Sequence, residues 1–150
     1  MTMQLYNLLY VSRSNVAADS PQMDAIARSS QRHNAVSGIT GFLYYDNEAF
    51  LQALEGVESD VRGLFDVIAA DDRHHSVRML GFQPVANRVF GGWSMGLYDG
   101  SRDGGLLAER FGPDLLSTAR GIDGPEVMRF LRDLSLGRND IYALPSAKAG

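Results

Sequence analysis

Residues 42–54 read Phe-Leu-Tyr-Tyr-Asp-Asn-Glu-Ala-Phe-Leu-Gln-Ala-Leu, two apolar and aromatic runs either side of Asp46-Asn47-Glu48. Short runs of this kind, broken by turn-forming residues, predict a β-hairpin with strands over Phe42–Tyr45 and Ala49–Leu54. Gly38 and Gly41 flank Ile39-Thr40 at its entry, and Glu55-Gly56 ends it. Upstream, Leu5–Ser12 is Leu-Tyr-Asn-Leu-Leu-Tyr-Val-Ser, a first strand buried for most of its length. Ser20 before Pro21 has the order of an N-cap and a first helical residue. Met23, Ile26 and Ala27 then give a narrow apolar stripe on a helix running to about His33. Arg28, Arg32 and His33 fall in its last turn, favourable cations at the negative end of the helix dipole.

Downstream of the hairpin, Val57, Val61, Leu64, Phe65 and Ile68 form the wide apolar face of a second helix, closed by Asp71-Asp72-Arg73-His74-His75. Val77–Phe82 and Trp93–Tyr98 are a fourth and a fifth strand, separated by a loop through Pro84 and Gly91-Gly92. The order β-α-β-β-α-β-β predicts an α+β, ferredoxin-like sheet with two helices on one face. The other face then needs cover, or it would expose a large apolar patch. Leu106, Leu107, Phe111, Leu115 and Leu116, bent or broken at Gly112-Pro113, are one candidate. A helix opening at Gly124-Pro125-Glu126, with Val127, Phe130, Leu131 and Leu134 on one side, is another. The expected organisation is a domain over 1–98, a helical extension over 99–137 packing on the sheet, and a polar, frayed tail over 138–150.

Composition narrows the function classes. There are 14 basic and 18 acidic side chains for a net charge of −4, so the broad positive field that nucleic-acid binding needs is missing. Hydrophobic residues at 45% and charged residues at 21% describe an ordinary globular domain rather than a disordered chain. No apolar stretch approaches the roughly 18–20 residues that span a bilayer, and Met1–Tyr6 has no basic region followed by an apolar run. These features predict a soluble, cytoplasmic protein. The chain contains no cysteine, which removes disulfides, thiolate metal sites, cysteine nucleophiles and photochemistry through a cysteinyl adduct.

Polar side chains placed on buried faces need partners or cost about 1–3 kcal/mol each. Tyr10 on the first strand, Gln52 on the third, Asn34 at the end of the first helix and Arg73 at the end of the second are such groups. A ferredoxin-like sheet pairs its first and third strands at the centre, which makes Tyr10 and Gln52 neighbours beneath the groove between the helices. A Gln amide has a donor end and an acceptor end that can exchange, so beside a Tyr hydroxyl it forms a switchable relay. The alternative is that the two merely satisfy one another. His33, His74 and His75 have no metal-ligand spacing, and Gly38-Ile39-Thr40-Gly41 lacks the Lys and helix start of a phosphate loop. Local pattern leaves two other readings open. One is a small enzyme for an acidic metabolite, with Arg73 binding and His74 transferring a proton; the other is a light-independent oligomeric interaction module.

Five segments in order resemble the BLUF family, blue-light sensors that use FAD. They are Leu9-Tyr10-Val11-Ser12; Arg32-His33-Asn34 with Gly38-Ile39-Thr40-Gly41-Phe42-Leu43-Tyr44; Phe50-Leu51-Gln52-Ala53-Leu54-Glu55-Gly56; Asp71-Asp72-Arg73-His74; and Trp93-Ser94-Met95-Gly96. The likeness covers Leu5 to about Tyr98, and the later helices resemble the cap of the short, stand-alone members.

The resemblance implies an FAD cofactor and a role for each matching position. Tyr10 corresponds to the tyrosine that gives an electron and a proton to the excited flavin, and Gln52 to the glutamine between that tyrosine and the flavin N5 and O4 atoms. Asn34 matches an asparagine on the O4/N3 edge and Arg73 an arginine near the O2 edge. His33, Asp71 and His74 fall at positions lining the site, Ser30 is a further contact, and Ile26 and Ile68 enclose the ring faces. Trp93 and Met95 match the fifth-strand pair that repacks near the glutamine in light. Arg28, Arg32 and Arg62 are candidates for the phosphate and adenine parts. After the sensor roughly 50 residues remain, too few for an ordinary catalytic domain. The resemblance therefore implies a photoreceptor rather than an enzyme, signalling through its last strand and C-terminal helices to a partner protein or a homo-oligomer.

Overall fold

The computed structural model describes residues 3–103, 106–112, 124–137 and 141–145. In chain order the elements are β1 (Leu5–Ser14), α1 (Pro21–Ser37), β2 (Thr40–Tyr45), β3 (Ala49–Val57), α2 (Glu58–Ala69), β4 (His74–Val85) and β5 (Trp93–Asp99). A 3-10 turn over Gly100–Asp103, α3 (Leu106–Phe111), α4 (Gly124–Gly137) and β6 (Ile141–Pro145) follow. One six-stranded sheet runs in the order β4-β1-β3-β2-β5-β6. β2 and β5 are parallel, and the other pairs are antiparallel. The ferredoxin-like α+β arrangement is thus present, with β5 and β6 added beside β2.

The sheet separates two apolar clusters because alternate strand residues point to opposite faces. On one face Leu8, Tyr10, Leu43, Phe50, Leu54 and Met95 meet Met23 and Ile26 of α1 and Val61, Leu64 and Ile68 of α2. On the other, Leu9, Val11, Phe42, Tyr44 and Leu51 meet Leu107 of α3 and Val127, Phe130, Leu131 and Leu134 of α4. The cover expected for the second face is therefore in place. Leu115 and Leu116 lie outside the described residues.

Several boundaries differ from the sequence reading. Ser20 caps α1 as expected, its Oγ accepting the Met23 N–H at 3.1 Å. The helix continues past His33 to Ser37, because Gly38 in the left-handed region (φ 73°) is what ends it. Arg28, Arg32 and His33 are consequently not in the last turn, and Asn34 sits inside the helix with its side chain facing the sheet. β3 runs through Glu55-Gly56 to Val57, since β1 pairs with it as far as Leu5↔Val57. Asp71–Arg73 form a turn, and β4 starts at His74.

The expectation of a polar tail over 138–150 is corrected by β6. Ile141–Pro145 pairs antiparallel with β5, whose outer edge would otherwise carry bare peptide groups. A five-residue strand is set by such a partner more than by local pattern. Ser146–Gly150 lie outside the described residues.

Candidate functional site

A cavity of about 430 Å³ opens between α1 and α2 above the cluster-facing side of β1, β2 and β3, within the size range of cofactor sites. Tyr10, Ile26, Ser30, His33, Asn34, Gln52, Ile68, Asp71, Arg73 and His74 all line it. These ten wall residues come from six separate elements and turns. The sequence reading missed Leu43 and Phe50, which share the face of Gln52 by strand alternation and were legible from it. Ile39, Leu64, Ser29 and Ser59 also line the cavity, whereas Arg28, Arg32 and Arg62 do not. Arg62 instead pairs with Glu58 at 3.0 Å and lies over the Phe82 ring.

At the floor, Tyr10 and Gln52 are direct register partners in the β1–β3 ladder. Tyr10 Oη donates to Gln52 Oε1 at 2.5 Å, both side chains being buried. Burial pushes the Tyr10 phenol well above its ordinary pKa, with the negative charge of Asp71 adding to the effect. The phenol is therefore held protonated, and its proton lies on the bond to Gln52. The other end of that amide, Nε2, donates to Met95 Sδ at 3.3 Å.

Two amides of α1, one turn apart, grip β5 beside this point. Asn34 Nδ2 donates to the Ser94 carbonyl at 3.0 Å and Gln31 Nε2 to the Met95 carbonyl at 3.2 Å. Gln31 was not among the sequence candidates, although its i−3 position from Asn34 puts both on one helix face. Met95 reaches Gln52, but Trp93 does not: its ring packs into the opposite cluster. The ladder shifts register between these residues, Trp93 opposing Pro145 and Met95 opposing Leu144. The extra residue of this β-bulge, Ser94, reverses the alternation.

The far wall is polar. Arg73 clamps Asp71, Nε to Oδ1 at 2.9 Å and Nη2 to Oδ2 at 2.5 Å. This hydrogen bonding by Arg73 holds the Asp71 carboxyl below the usual range despite some desolvation. His74 Nε2 meets the Ile68 carbonyl at 2.5 Å, so that nitrogen carries a hydrogen, and Nδ1 is 2.7 Å from Ser12 Oγ. Its neighbour His75 is exposed and bonded to Asn15, so the adjacent histidines point apart.

One atom of the wall is unsatisfied. Asn34 Oδ1 is buried without a hydrogen-bond partner. A buried orphan acceptor costs about 1–3 kcal/mol, which a ligand N–H entering the cavity would relieve. Apolar side chains from both helices, an unmatched acceptor and a guanidinium at the rim suit a flat heteroaromatic ring with a polar edge bearing both N–H and carbonyl groups. A flavin is such a ring, and the residues present fit it.

Residues 5–96 match the family described as sensors of blue-light using FAD, BLUF. The chain belongs to the BLUF family. It is a blue-light sensor whose cofactor class is FAD. It is 38% identical over 93 residues to the photoactivated adenylate cyclase subunit beta of Euglena longa, covering 61% of this chain and 11% of that protein. It is 32% identical over 97 residues to the blue light- and temperature-regulated antirepressor BluF of Escherichia coli, covering 63% of this chain and 24% of that one. The chain thus spans about a tenth to a quarter of the length of these relatives. The dark-state structure of BlrB, a BLUF protein, aligns with a TM-score of 0.68 at 31% identity, covering 88% of this chain and 95% of that one. The photo-activated state of BlsA aligns at 0.74 with 24% identity, a likeness of fold. No described helix is long and apolar enough to cross a membrane.

Proposed function

We propose that Tyr10 and Gln52 form the light-driven relay of this BLUF sensor, and that its signal leaves through β5 toward α3 and α4. The observation that carries the reading is the bond from Tyr10 Oη to Gln52 Oε1 at 2.5 Å, on an amide whose other end holds Met95. Ile26 and Ile68, one from each helix, enclose the ring of the cofactor, and Asn34 Oδ1 and Arg73 meet its polar edge. Ser30, His33, Asp71 and His74 complete the wall. Bound FAD supplies blue-light absorption and an excited ring that accepts an electron.

Tyr10 is the short-range electron donor. Loss of an electron makes its phenol strongly acidic, and the Oη proton moves along the existing bond to Gln52 Oε1. When electron and proton return to Tyr10, the Gln52 amide is left in a second orientation or tautomer, with donor and acceptor ends exchanged. A donor then faces the cofactor edge where none did before, which shifts absorption to the red without a covalent bond. In the same step Nε2 releases Met95 Sδ. β5 is held beside this point by Gln31 and Asn34, so a local hydrogen-bond change biases the packing of the strand.

A cytoplasmic site of action and an output through a separate protein or a second copy of this chain complete the proposal. The named outputs of the relatives, a cyclase subunit and an antirepressor, support a sensor that works through another activity. The relay is tested by Tyr10→Phe and Gln52→Leu. Each should keep FAD bound and lose the reversible red shift in blue light, and a variant that cycles normally overturns the assignment. Co-purification and solution size, each compared in the dark and under illumination, test the output.

A further inference from the structure

Glu55 is a buried acid that the relay does not use. Its side chain is fully buried on β3, three residues beyond Gln52 and on the opposite face. A buried carboxylate persists only where donors and a counter-charge replace its water. Here Oε2 accepts the Val89 N–H at 2.6 Å, and Oε1 accepts the Phe90 N–H at 2.9 Å and the Thr40 hydroxyl at 3.1 Å. Arg88 Nη1 closes the group, donating to Thr40 Oγ1 at 2.8 Å and to the Glu55 carbonyl at 3.0 Å.

Every one of those loop residues lies in the connection that leads into β5. Phe90 is itself buried, stacks on Phe42 with centroids 5.5 Å apart, and accepts the Trp93 N–H on its carbonyl at 3.0 Å. Gly96 leaves room for this wall: a Cβ there would stand 2.5 Å from the Phe42 ring and 3.5 Å from Trp93 Cγ. The carboxylate thus fixes Phe90, and Phe90 fixes the backbone from which Trp93 starts.

We propose that Glu55 is a positioning residue for the output strand, setting where β5 begins so that Trp93 stays on the α3–α4 face and Met95 is the β5 side chain at Gln52. The inference rests on the reading of Gln52 and Met95 as the light-sensitive contact. Because Trp93 is the single tryptophan of the chain, its emission reports this position alone.

The test uses flavin-loaded protein in the dark and under blue light. Glu55→Gln conserves volume but turns one accepting oxygen into an NH₂ that faces a backbone N–H. It should move dark-state Trp93 emission to the red, raise its quenching by acrylamide, and shrink its light-minus-dark change. Arg88→Met keeps the carboxylate and its backbone donors but removes the guanidinium, and should give the same shifts at smaller size. If Glu55→Gln yields no folded protein, Arg88→Met decides by the same criterion. Lower thermal stability with unmoved Trp93 emission overturns the positioning role. The unmodified protein is measured in parallel: absence of its red shift counts against the Tyr10–Gln52 relay, whereas a normal red shift with unmoved emission in the variants counts against Glu55 alone.

Discussion

Trp93 and Met95 stand two residues apart on β5, yet Trp93 packs with the C-terminal helices and Met95 reaches the Gln52 amide. A strand without a bulge would put both on one face. The arrangement couples the two sides of the sheet within three residues, because a shift of the Met95 backbone is also a shift of the Trp93 ring.

Replacing Met95 with Leu conserves bulk and removes the sulfur acceptor of Gln52 Nε2. The dark orientation of the amide loses a weak bond, so we expect the red-shifted state to decay about two- to fivefold more slowly, the factor that ~0.5–1 kcal/mol supplies. Following flavin absorbance in the dark after a light pulse checks this. An unchanged decay would show that the sulfur contact does not hold the amide.

Asn34→Ala deletes the orphan acceptor in the cavity and the bond to the Ser94 carbonyl. The acceptor is costly when empty and useful when a ligand N–H meets it, so its loss weakens binding. Titration of FAD into cofactor-free protein should show affinity lower by roughly 5- to 150-fold, from a loss of about 1–3 kcal/mol.

Tyr44 is a junction on the opposite face. Its hydroxyl donates to Asp46 Oδ2 at 2.7 Å and accepts the Leu107 N–H of α3 at 3.0 Å, and its ring meets Tyr98 and Phe130. Tyr44→Phe strands both partners, and denaturant unfolding should report a loss of about 1–3 kcal/mol. The size of the flavin red shift should not change, since the sheet separates Tyr44 from the cavity.

Three buried phenols give a pH dependence of defined sign. Burial raises Tyr10 and Tyr44 above the ordinary tyrosine value, and raises Tyr45 to about 12 with help from the charges of Asp99 and Asp24. The folded protein keeps protons that the unfolded chain gives up above pH 10, so their contribution is complete below pH 10 and lost as pH rises through the folded values. Denaturation midpoints should fall between pH 10 and 12. Tyr45→Phe should flatten that fall, and a midpoint equally steep with pH in the variant would contradict the assignment.

Much of the site was legible because it depends on regular periodicity. Tyr10 and Gln52 meet through antiparallel pairing of adjacent strands, and Asn34 and Ile68 face inward by helical spacing. The residues that escaped depend on non-local pairing. Trp93 turns away across a bulge against β6, a strand that pairs with β5 from far along the chain. Glu55 reads as the polar end of a strand until the loop from β4 folds over it. The extra turn of α1 escaped because its narrow stripe ends before the left-handed Gly38 stops the helix.

Because β6 lies against β5, the strand that carries Met95 is an interior strand, hydrogen-bonded to a neighbour on each side. Shortening the chain before residue 141 would uncover a row of donors and acceptors along β5 and invite one molecule to zip onto the next. Truncated versions of this photoreceptor are thus expected to self-associate for a reason unconnected with illumination.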